Sequence, residues 1–226
     1  MADIGDIKAI IFDLDGVLIS TDKYHYIAWK ELADELGIPF CEKDNEAFRG
    51  VSRMDCMEML VSKSATVMLT DGEKAAYAEK KNARYRSLLE EITPEFVAPE
   101  VRKTLEKLRM RGYRLAVGSS SKNSKFILEK TYLADCFDAI VDGNDISRSK
   151  PDPEVFLKAA AALKTEPHQC AVIEDAEAGL SAAVSGGMLP IAIGEAKNSP
   201  LAKKCLNTFG DLTEIFTNKM ENENVR

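Results

Sequence analysis

Short runs of apolar, often β-branched residues recur along this chain of 226 residues, and most of them lie in its second half. Runs without polar alternation are typical of strands that are covered on both faces of a parallel sheet. Segments with helical periodicity, about a dozen residues long, separate most of the runs. The pattern therefore predicts an α/β fold, a doubly wound (Rossmann-like) parallel sheet. The predicted strands are residues 9–12, 113–117, 139–141, 170–173 and 190–193.

One interval breaks this alternation, because about a hundred residues separate the first predicted strand from the second. The interval contains three amphipathic helical patterns, YHYIAWKELADELG, RMDCMEMLVSK and GEKAAYAEKKNARYRSLLEEI. We interpret it as an inserted helical cap domain at 20–97, and residues 1–19 and 98–226 as the catalytic core. Ligands of doubly wound sheets bind beyond the carboxyl ends of the strands. Because the insert begins at such an end, we expect it to act as a lid.

Charge, cysteine usage and hydropathy exclude several classes of function. The net charge of −7, without a basic stripe, argues against nucleic-acid binding. Five scattered cysteines without a CxxC pair predict neither a disulfide framework nor a zinc site. No segment approaches the roughly 20 apolar residues of a membrane helix, and the N-terminus does not resemble a signal peptide. We therefore expect a cytoplasmic protein without a membrane partner.

The first predicted strand ends in two carboxylates, Asp13 and Asp15, within the stretch IIFDLDGVLIS. Side chains at i and i+2 of an extended segment point to the same side, so both carboxylates could face one small volume. Like charges repel there unless a cation, a proton or a substrate separates them. The alternative interpretation is an ordinary surface turn of Asp and Gly.

Polar residues also follow the other predicted strands. The second strand runs into GSSSKN, whose hydroxyl and amide groups could bind a phosphate, although a serine-rich turn is often only a turn. Lys150 precedes a proline after the third strand, where an exposed lysine would be unremarkable in itself. Glu174 and Asp175 end the fourth strand and could instead cap the next helix.

Taken together, these strand ends predict phosphoryl transfer. Carboxylates of Asp13, Glu174 and Asp175 are ligands that suit Mg²⁺. Asp13 would attack phosphorus, and Asp15 would donate a proton to the leaving oxygen and accept one from the incoming hydroxyl. The Mg²⁺ ion, Lys150 and Ser119 would neutralise or hold the transferred phosphoryl group.

At this point the chain resembles the haloacid dehalogenase superfamily of phosphotransferases. Its four motifs correspond to DxDG at Asp13 to Gly16, to Ser119, to Lys150 and to the pair Glu174-Asp175. An Asp at position 15 is similar to the phosphatase and mutase branches. The resemblance implies that the Asp13 side chain and the Asp15 backbone carbonyl bind Mg²⁺.

The insert is similar to that of the β-phosphoglucomutase family, as TDKYHYIAWKELADELGI, RGVSR and EKKN show, and SSSKN and DAEAGLSAAVSGGMLPI extend the similarity to the core. One departure is Ser120, where better-known members carry a small apolar residue, and the sequence after Gly194 matches poorly. The resemblance implies binding of phosphate or sugar by cap residues Gly50, Val51, Ser52, Arg53, His25, Trp29 and Lys81, and by loop residues Ser119, Ser120, Ser121, Lys122 and Asn123.

Three functions remain open. The resemblance implies a mutase that interconverts β-glucose 1-phosphate and β-glucose 6-phosphate through an aspartyl phosphate and a 1,6-bisphosphate. The same core in a sugar-phosphate phosphatase would transfer the phosphoryl group to water, and a catalytically silent binding module is the third possibility. The insert favours the mutase. We expect a monomer that acts on small sugar phosphates.

Overall fold

The structure is a computed structural model, and it describes residues 4–217. The parts of the predicted core at 1–3 and 218–226 therefore lie outside the described residues. The strands are β1 Ala9–Phe12, β2 Arg114–Gly118, β3 Ala139–Val141, β4 Cys170–Glu174, β5 Leu189–Ala192 and β6 Lys204–Cys205. The helices are α1 Asp22–Glu35, α2 Glu42–Glu46, α3 Arg53–Ser62, α4 Asp71–Leu89, α5 Pro99–Met110, α6 Ser124–Lys130, α7 Glu154–Ala162, α8 Glu177–Ser185 and α9 Leu212–Ile215.

All six strands belong to one parallel sheet with the order β3-β2-β1-β4-β5-β6. The predicted α/β fold with a doubly wound sheet is confirmed. β1 lies between β2 and β4, so the chain winds to one side of β1 and later to the other. This reversal of strand order creates the crevice at the carboxyl ends in which such sheets bind ligands.

The sheet is buried on both faces, which explains its continuously apolar strands. On one face, Ile11 packs in a cluster with Phe156 of α7 and with residues of α8. On the other face, the Phe12 ring lies 6.1 Å from Phe137 and 5.7 Å from Phe209. Every residue of β1 is fully buried, so the position of its carboxyl end is tightly fixed.

Two strands are shifted by one residue from their predicted positions, and the edge strand β6 was not predicted. The predicted strand at 113–117 begins instead at Arg114, because the amide of Tyr113 donates to the carbonyl of Leu108 and closes the end of α5. The predicted strand at 190–193 begins instead at Leu189, which pairs in register with Ala171. β6 has only two residues, both exposed, and thus no apolar pattern.

The chain divides into two compact units. Thr21–Ile92 forms the helical unit, and the described residues on either side of it form the α/β unit. The prediction placed the insert at 20–97, which is longer. Residues 93–97 belong to the α/β unit because Arg102 of α5 donates to the carbonyl of Pro94 at 3.0 Å, and Val97 is buried.

The helical unit has its own apolar core, which includes Trp29, Leu32, Phe48, Met57 and Leu60. α1 and α4 pack along each other, and the other two helices of this unit contact them. Among residues 4–217, no helix combines the length and the apolar character needed to cross a bilayer.

Candidate active site

The candidate site of the α/β unit begins where β1 ends. Asp13 is buried, and its amide donates to the carbonyl of Ile173 at 3.0 Å, so the pairing of β1 with β4 continues by one residue. Beyond it the backbone turns, because the amides of Leu18 and Ile19 both donate to the carbonyl of Leu14. Asp15 is half-buried within this turn and forms an isolated bridge with Ile19. The sheet therefore fixes the backbone of Asp13, and the turn presents Asp15.

Lys150 lies between two carboxylates. Its ammonium nitrogen donates to Oδ1 of Asp13 at 2.5 Å and to Oε1 of Glu174 at 2.6 Å. The ring centroid of Phe156 lies 4.7 Å from the same nitrogen. All three charged side chains are buried, and only about a tenth of the Asp13 side chain is exposed (11%). In this low-dielectric setting the interactions are stronger than in water.

The surroundings of Asp13 and Lys150 raise the pKa values of both side chains. Burial raises the pKa of Asp13 well above its usual value; the ammonium of Lys150 opposes the shift, and the carboxylates of Glu174 and Asp175 add to it. Burial alone would lower the pKa of Lys150, but Asp13 and Glu174 outweigh it and raise that pKa. Lys150 is therefore a permanent positive charge beside a carboxylate whose charged form it stabilises.

Asp175 completes an acidic group. Asp13, Glu174 and Asp175 each offer a carboxylate oxygen, and these oxygens all lie within 4.8 Å of one another. Gly16 makes the approach of Asp175 possible: it has a φ of +78°, and a Cβ there would lie 1.9 Å from Oδ2 of Asp175. Glycine is therefore required at position 16 for both its backbone conformation and its lack of a side chain.

The serine-rich turn after β2 is fixed by its own hydrogen bonds. Ser119 is buried, and its backbone amide donates to the carbonyl of Val141 at 3.1 Å. Its hydroxyl accepts from the backbone amide of Ser121 at 3.2 Å. The hydroxyl of Ser121 accepts from the amide of Asn123, also at 3.2 Å. Ser120, the departure from the family pattern, lies with its hydroxyl 3.5 Å from the amide of Lys150. The turn is thus held next to the chain segment that carries the lysine.

Lys122 and Asn123 differ in exposure. Lys122 is exposed, whereas Asn123 is buried. A serine hydroxyl that accepts one hydrogen bond still has a proton to donate, so Ser119 can also contact a phosphoryl oxygen. The serines, Lys122 and Asn123 of this turn can therefore offer hydroxyl, ammonium and amide donors to an anion.

The helical unit contains a second cluster, around Lys81. Although EKKN is typical of an exposed helix face, Lys81 is only 4% exposed. Its ammonium nitrogen lies 4.7 Å from the ring centroid of Trp29 and 4.8 Å from that of Tyr85, and it donates to Nδ1 of His25 at 2.9 Å. Trp29 itself belongs to the apolar core of the helical unit. The structure therefore brings together three predicted site residues, His25, Trp29 and Lys81.

His25 is the titratable member of this cluster. Burial lowers its pKa well below the usual value, and the charges of Lys81 and Arg53 lower it further. The imidazole is thus neutral at pH 7. Because the ammonium of Lys81 can only donate, Nδ1 is the acceptor and Nε2 carries the proton.

The stretch RGVSR leads into α3. Gly50 has a φ of +72°, and the half-buried Val51 precedes Ser52, whose hydroxyl accepts from the amide of Asp55 at 3.1 Å and caps the helix. Arg53 is the first residue of α3, and its guanidinium forms an ion pair with the largely exposed Glu79 at 2.7 Å.

Three comparisons identify known proteins to which this chain is similar. A family model described as haloacid dehalogenase-like hydrolase matches residues 7–187. This chain belongs to that family. It is 38% identical over 221 residues to a β-phosphoglucomutase of Bacillus subtilis, and the match covers 97% of this chain and 98% of the relative. It is 29% identical over 183 residues to a phosphorylated carbohydrates phosphatase of Thermotoga maritima, and this match covers 80% of this chain and 82% of that protein.

Among solved structures, a β-phosphoglucomutase of Clostridium difficile is similar to this protein with a TM-score of 0.86. The two chains are 35% identical, and the match covers 97% of this chain and 100% of the other. The prediction that the chain is a haloacid dehalogenase-like protein similar to the β-phosphoglucomutases is confirmed.

Phosphotransferases of the haloacid dehalogenase-like family use a divalent metal ion, and the residues of this chain fit one. Three carboxylate oxygens within 4.8 Å of one another form a hard, anionic donor set. The ammonium of Lys150 contacts two of these three groups, Asp13 and Glu174. The chemistry of the three carboxylates therefore suits a divalent cation.

Sequence reasoning missed several residues that support the site. Asp142 and Asn144 follow β3: the side-chain nitrogen Nδ2 of Asn144 donates to Oδ1 of Asp142 at 3.1 Å and to the carbonyl of Lys122 at 3.0 Å. A Cβ on Gly143 would lie 2.3 Å from the carbonyl oxygen of Ser120, so the two loops are in close contact. Asp142 could have been predicted from the sequence, because it directly follows a predicted strand, as Asp13 does.

Proposed function

We propose that this protein is a β-phosphoglucomutase, a phosphotransferase that interconverts β-D-glucose 1-phosphate and β-D-glucose 6-phosphate. The observation that carries the proposal is 38% identity to a β-phosphoglucomutase over 97% of this chain. The buried group of Asp13, Lys150, Glu174 and Asp175 supports it, because this arrangement of charges suits phosphoryl transfer.

Asp13 is the proposed nucleophile. Its carboxylate oxygen forms a bond to phosphorus while the bond from phosphorus to the sugar oxygen breaks, which gives an aspartyl phosphate. Lys150 favours the charged form of Asp13, against the effect of burial, and offsets the repulsion between carboxylate and phosphate. Ser119 donates to a phosphoryl oxygen.

Asp15 is the proposed acid and base. It donates a proton to the sugar oxygen that leaves phosphorus. In the reverse direction it accepts the proton of a sugar hydroxyl as that oxygen attacks the aspartyl phosphate, and Asp13 is released as a carboxylate. The aspartyl phosphate thus converts β-glucose 1-phosphate to the 1,6-bisphosphate, from which Asp13 takes the other phosphoryl group and releases glucose 6-phosphate.

We propose Mg²⁺ as the metal ion, held by the side chains of Asp13, Glu174 and Asp175 and by the backbone carbonyl of Asp15. When bound, it supplies positive charge that offsets the charge of the transferred phosphoryl group. Hard oxygen donors favour Mg²⁺ over softer ions.

The remaining proposed contacts bind the phosphate that is not being transferred and the sugar. Arg53, Ser121, Lys122 and Asn123 bind that phosphate, and His25 and Lys81 offer polar groups to sugar hydroxyls. Arginine is suited to this task because its planar guanidinium can donate two parallel hydrogen bonds to phosphate. Further proposed contacts come from Ser120 and from the cap residues Trp29, Gly50, Val51 and Ser52.

We also propose that the enzyme acts as a monomer on small sugar phosphates in the cytoplasm. Its five cysteines are free thiols, as expected in a reducing compartment. Size-exclusion chromatography with light scattering tests the oligomeric state.

A coupled assay with β-glucose 1-phosphate tests the proposed function, with glucose 6-phosphate and inorganic phosphate measured in parallel. Isomer formation well in excess of phosphate release is the expected result, and Asp13→Asn, with an amide in place of the nucleophile, should give neither product. Stoichiometric phosphate release without isomer would identify a phosphatase instead, in line with the T. maritima relative. No turnover of any sugar phosphate by the wild type would leave only a binding role.

A further inference from the structure

The first turn of α8 contains Gly179, and the carboxylate of Glu174 occupies the space that a side chain at this position would need. A Cβ on Gly179 would lie 1.8 Å from Oε1 of Glu174, 2.0 Å from its Cδ and 2.6 Å from its Cγ. No real Cβ tolerates contacts this short, so an alanine at this position requires the Glu174 side chain to move.

The backbone of Gly179 gives no other reason for a glycine. Gly179 lies within α8 with a helical φ, unlike Gly16, whose φ is positive. In a helix interior, glycine is less favourable than alanine, because glycine loses more conformational freedom on folding. The fold alone would therefore favour alanine at position 179.

Two hydrogen bonds hold the buried carboxylate of Glu174. It is 1% exposed; its Oε2 accepts from the amide of Ala176 at 2.9 Å, and its Oε1 accepts from Lys150 at 2.6 Å. Displacement of the carboxylate would disturb these hydrogen bonds. It would also move the carboxylate relative to the oxygens of Asp13 and Asp175, which now lie within 4.8 Å.

We propose that Gly179 is a positioning residue for the metal site. Its lack of a side chain lets the Glu174 carboxylate lie against the first turn of α8, where it can accept from Ala176 and Lys150 and still offer an oxygen to a divalent cation. The inference rests on the metal site of the proposed function, and it adds a requirement that acts through Glu174 alone.

The experiment is isothermal titration calorimetry of Mg²⁺ into the full-length protein without sugar phosphate. Gly179→Ala should raise the dissociation constant for Mg²⁺ about 10- to 100-fold, the usual effect of disturbing a group that orients a metal ligand. The matched control is Gly72→Ala in the first turn of α4, because a Cβ there meets nothing within 4 Å. It should bind Mg²⁺ as the wild type does.

A shortened ligand distinguishes this steric effect from a general disturbance of α8. Glu174→Asp withdraws the carboxylate from position 179, so adding Gly179→Ala in that background should change Mg²⁺ affinity by no more than about twofold. The same large loss in both backgrounds, or wild-type affinity in Gly179→Ala, would overturn the inference.

Thermal unfolding monitored by circular dichroism covers the case in which Gly179→Ala does not fold. Recovery of folding by Glu174→Asp then supports a clash with the carboxylate, whereas failure of both variants to fold would place the clash in the helix and overturn the proposal. If the wild type itself binds no Mg²⁺, the metal site of the proposed function fails first.

Discussion

The ammonium nitrogen of Lys150 lies 2.5 Å from Oδ1 of Asp13, although the two residues are 137 positions apart in the sequence. The same nitrogen contacts Glu174, so one buried cation serves two buried anions. Removing one partner of a buried ion pair leaves an uncompensated charge, which costs far more than the pair itself contributes. Lys150 thus has a structural effect that can be measured apart from catalysis.

We predict that Lys150→Met lowers the free energy of unfolding by about 3–5 kcal/mol in the presence of EDTA. Saturating Mg²⁺ should recover part of this loss, because a cation bound only to the folded state stabilises it. Urea denaturation with and without Mg²⁺ measures both effects. The control is Lys80→Met, which removes an exposed ion pair with Glu35 and should cost less than about 1 kcal/mol. Equal, small losses in the two variants would contradict the prediction.

The pKa of His25 predicts a pH dependence of stability. Burial, Lys81 and Arg53 lower this pKa in the folded state, so below about pH 6.5 the unfolded chain binds a proton that the folded protein does not. The free energy of unfolding should therefore fall as the pH decreases below about 6.5, with a contribution from His25 of up to about 1.4 kcal/mol per pH unit, and this contribution should be constant above that pH.

Denaturation of the wild type and of His25→Gln across pH 5 to 8, a window set by the usual histidine pKa, isolates this contribution as the difference between the two curves. His168→Gln, which changes an exposed imidazole, controls for the substitution itself. If the His25→Gln curve keeps the wild-type slope below pH 6.5, His25 is not the group responsible.

Asp13, Glu174 and Asp175 could be predicted from sequence because each ends or directly follows a buried strand. Parallel strands bring their carboxyl ends to one edge, so position along the sequence becomes position in space. Lys150 follows β3 through a loop, so its place near Asp13 could be predicted only from the strand ends taken together and from the family motif.

The burial of Lys81 could not be predicted from local pattern. Its sequence neighbours are polar. The two rings that contact its ammonium group belong to Trp29 on α1 and to Tyr85 one turn further along α4. Gly179 is similar, because a glycine in a helix reveals nothing about the carboxylate that fills its place. Contacts of this kind depend on tertiary packing, which helical periodicity does not encode.

For Asp15, we predict that Asp15→Asn slows phosphoryl transfer by about 10²–10⁴-fold, the usual contribution of a positioned acid and base. The loss should be smaller for substrates with acidic leaving groups, which need little protonation. Single-turnover rates of Asp13 phosphorylation by a sugar phosphate and by an aryl phosphate measure the difference. A uniform loss for both would remove Asp15 from the role of general acid.

Arg53 tests whether the enzyme binds a second phosphate, as a mutase requires. A bisphosphate must bind in two opposite orientations, so one group must hold the phosphate that is not reacting. Arg53→Ala should lower kcat/KM for sugar phosphates by about 10- to 150-fold, equivalent to roughly 1.5–3 kcal/mol for a charge-assisted hydrogen bond. Phosphorylation of Asp13 by acetyl phosphate, which has no second phosphate, should change far less.

Two variants on α4 act as controls for Arg53→Ala, because each removes one charge and leaves Arg53 in place. Glu79→Gln removes the present ion-pair partner of Arg53, and since a phosphate would otherwise compete with this carboxylate, kcat/KM should stay the same or rise. Arg84→Ala removes an exposed guanidinium that pairs with Glu31, and it should leave both reactions unchanged. Equal losses of both reactions in Arg53→Ala would mean that Arg53 supports the fold in general. Loss of neither would remove it from phosphate binding, and the second phosphate would then depend on Ser121, Lys122 and Asn123.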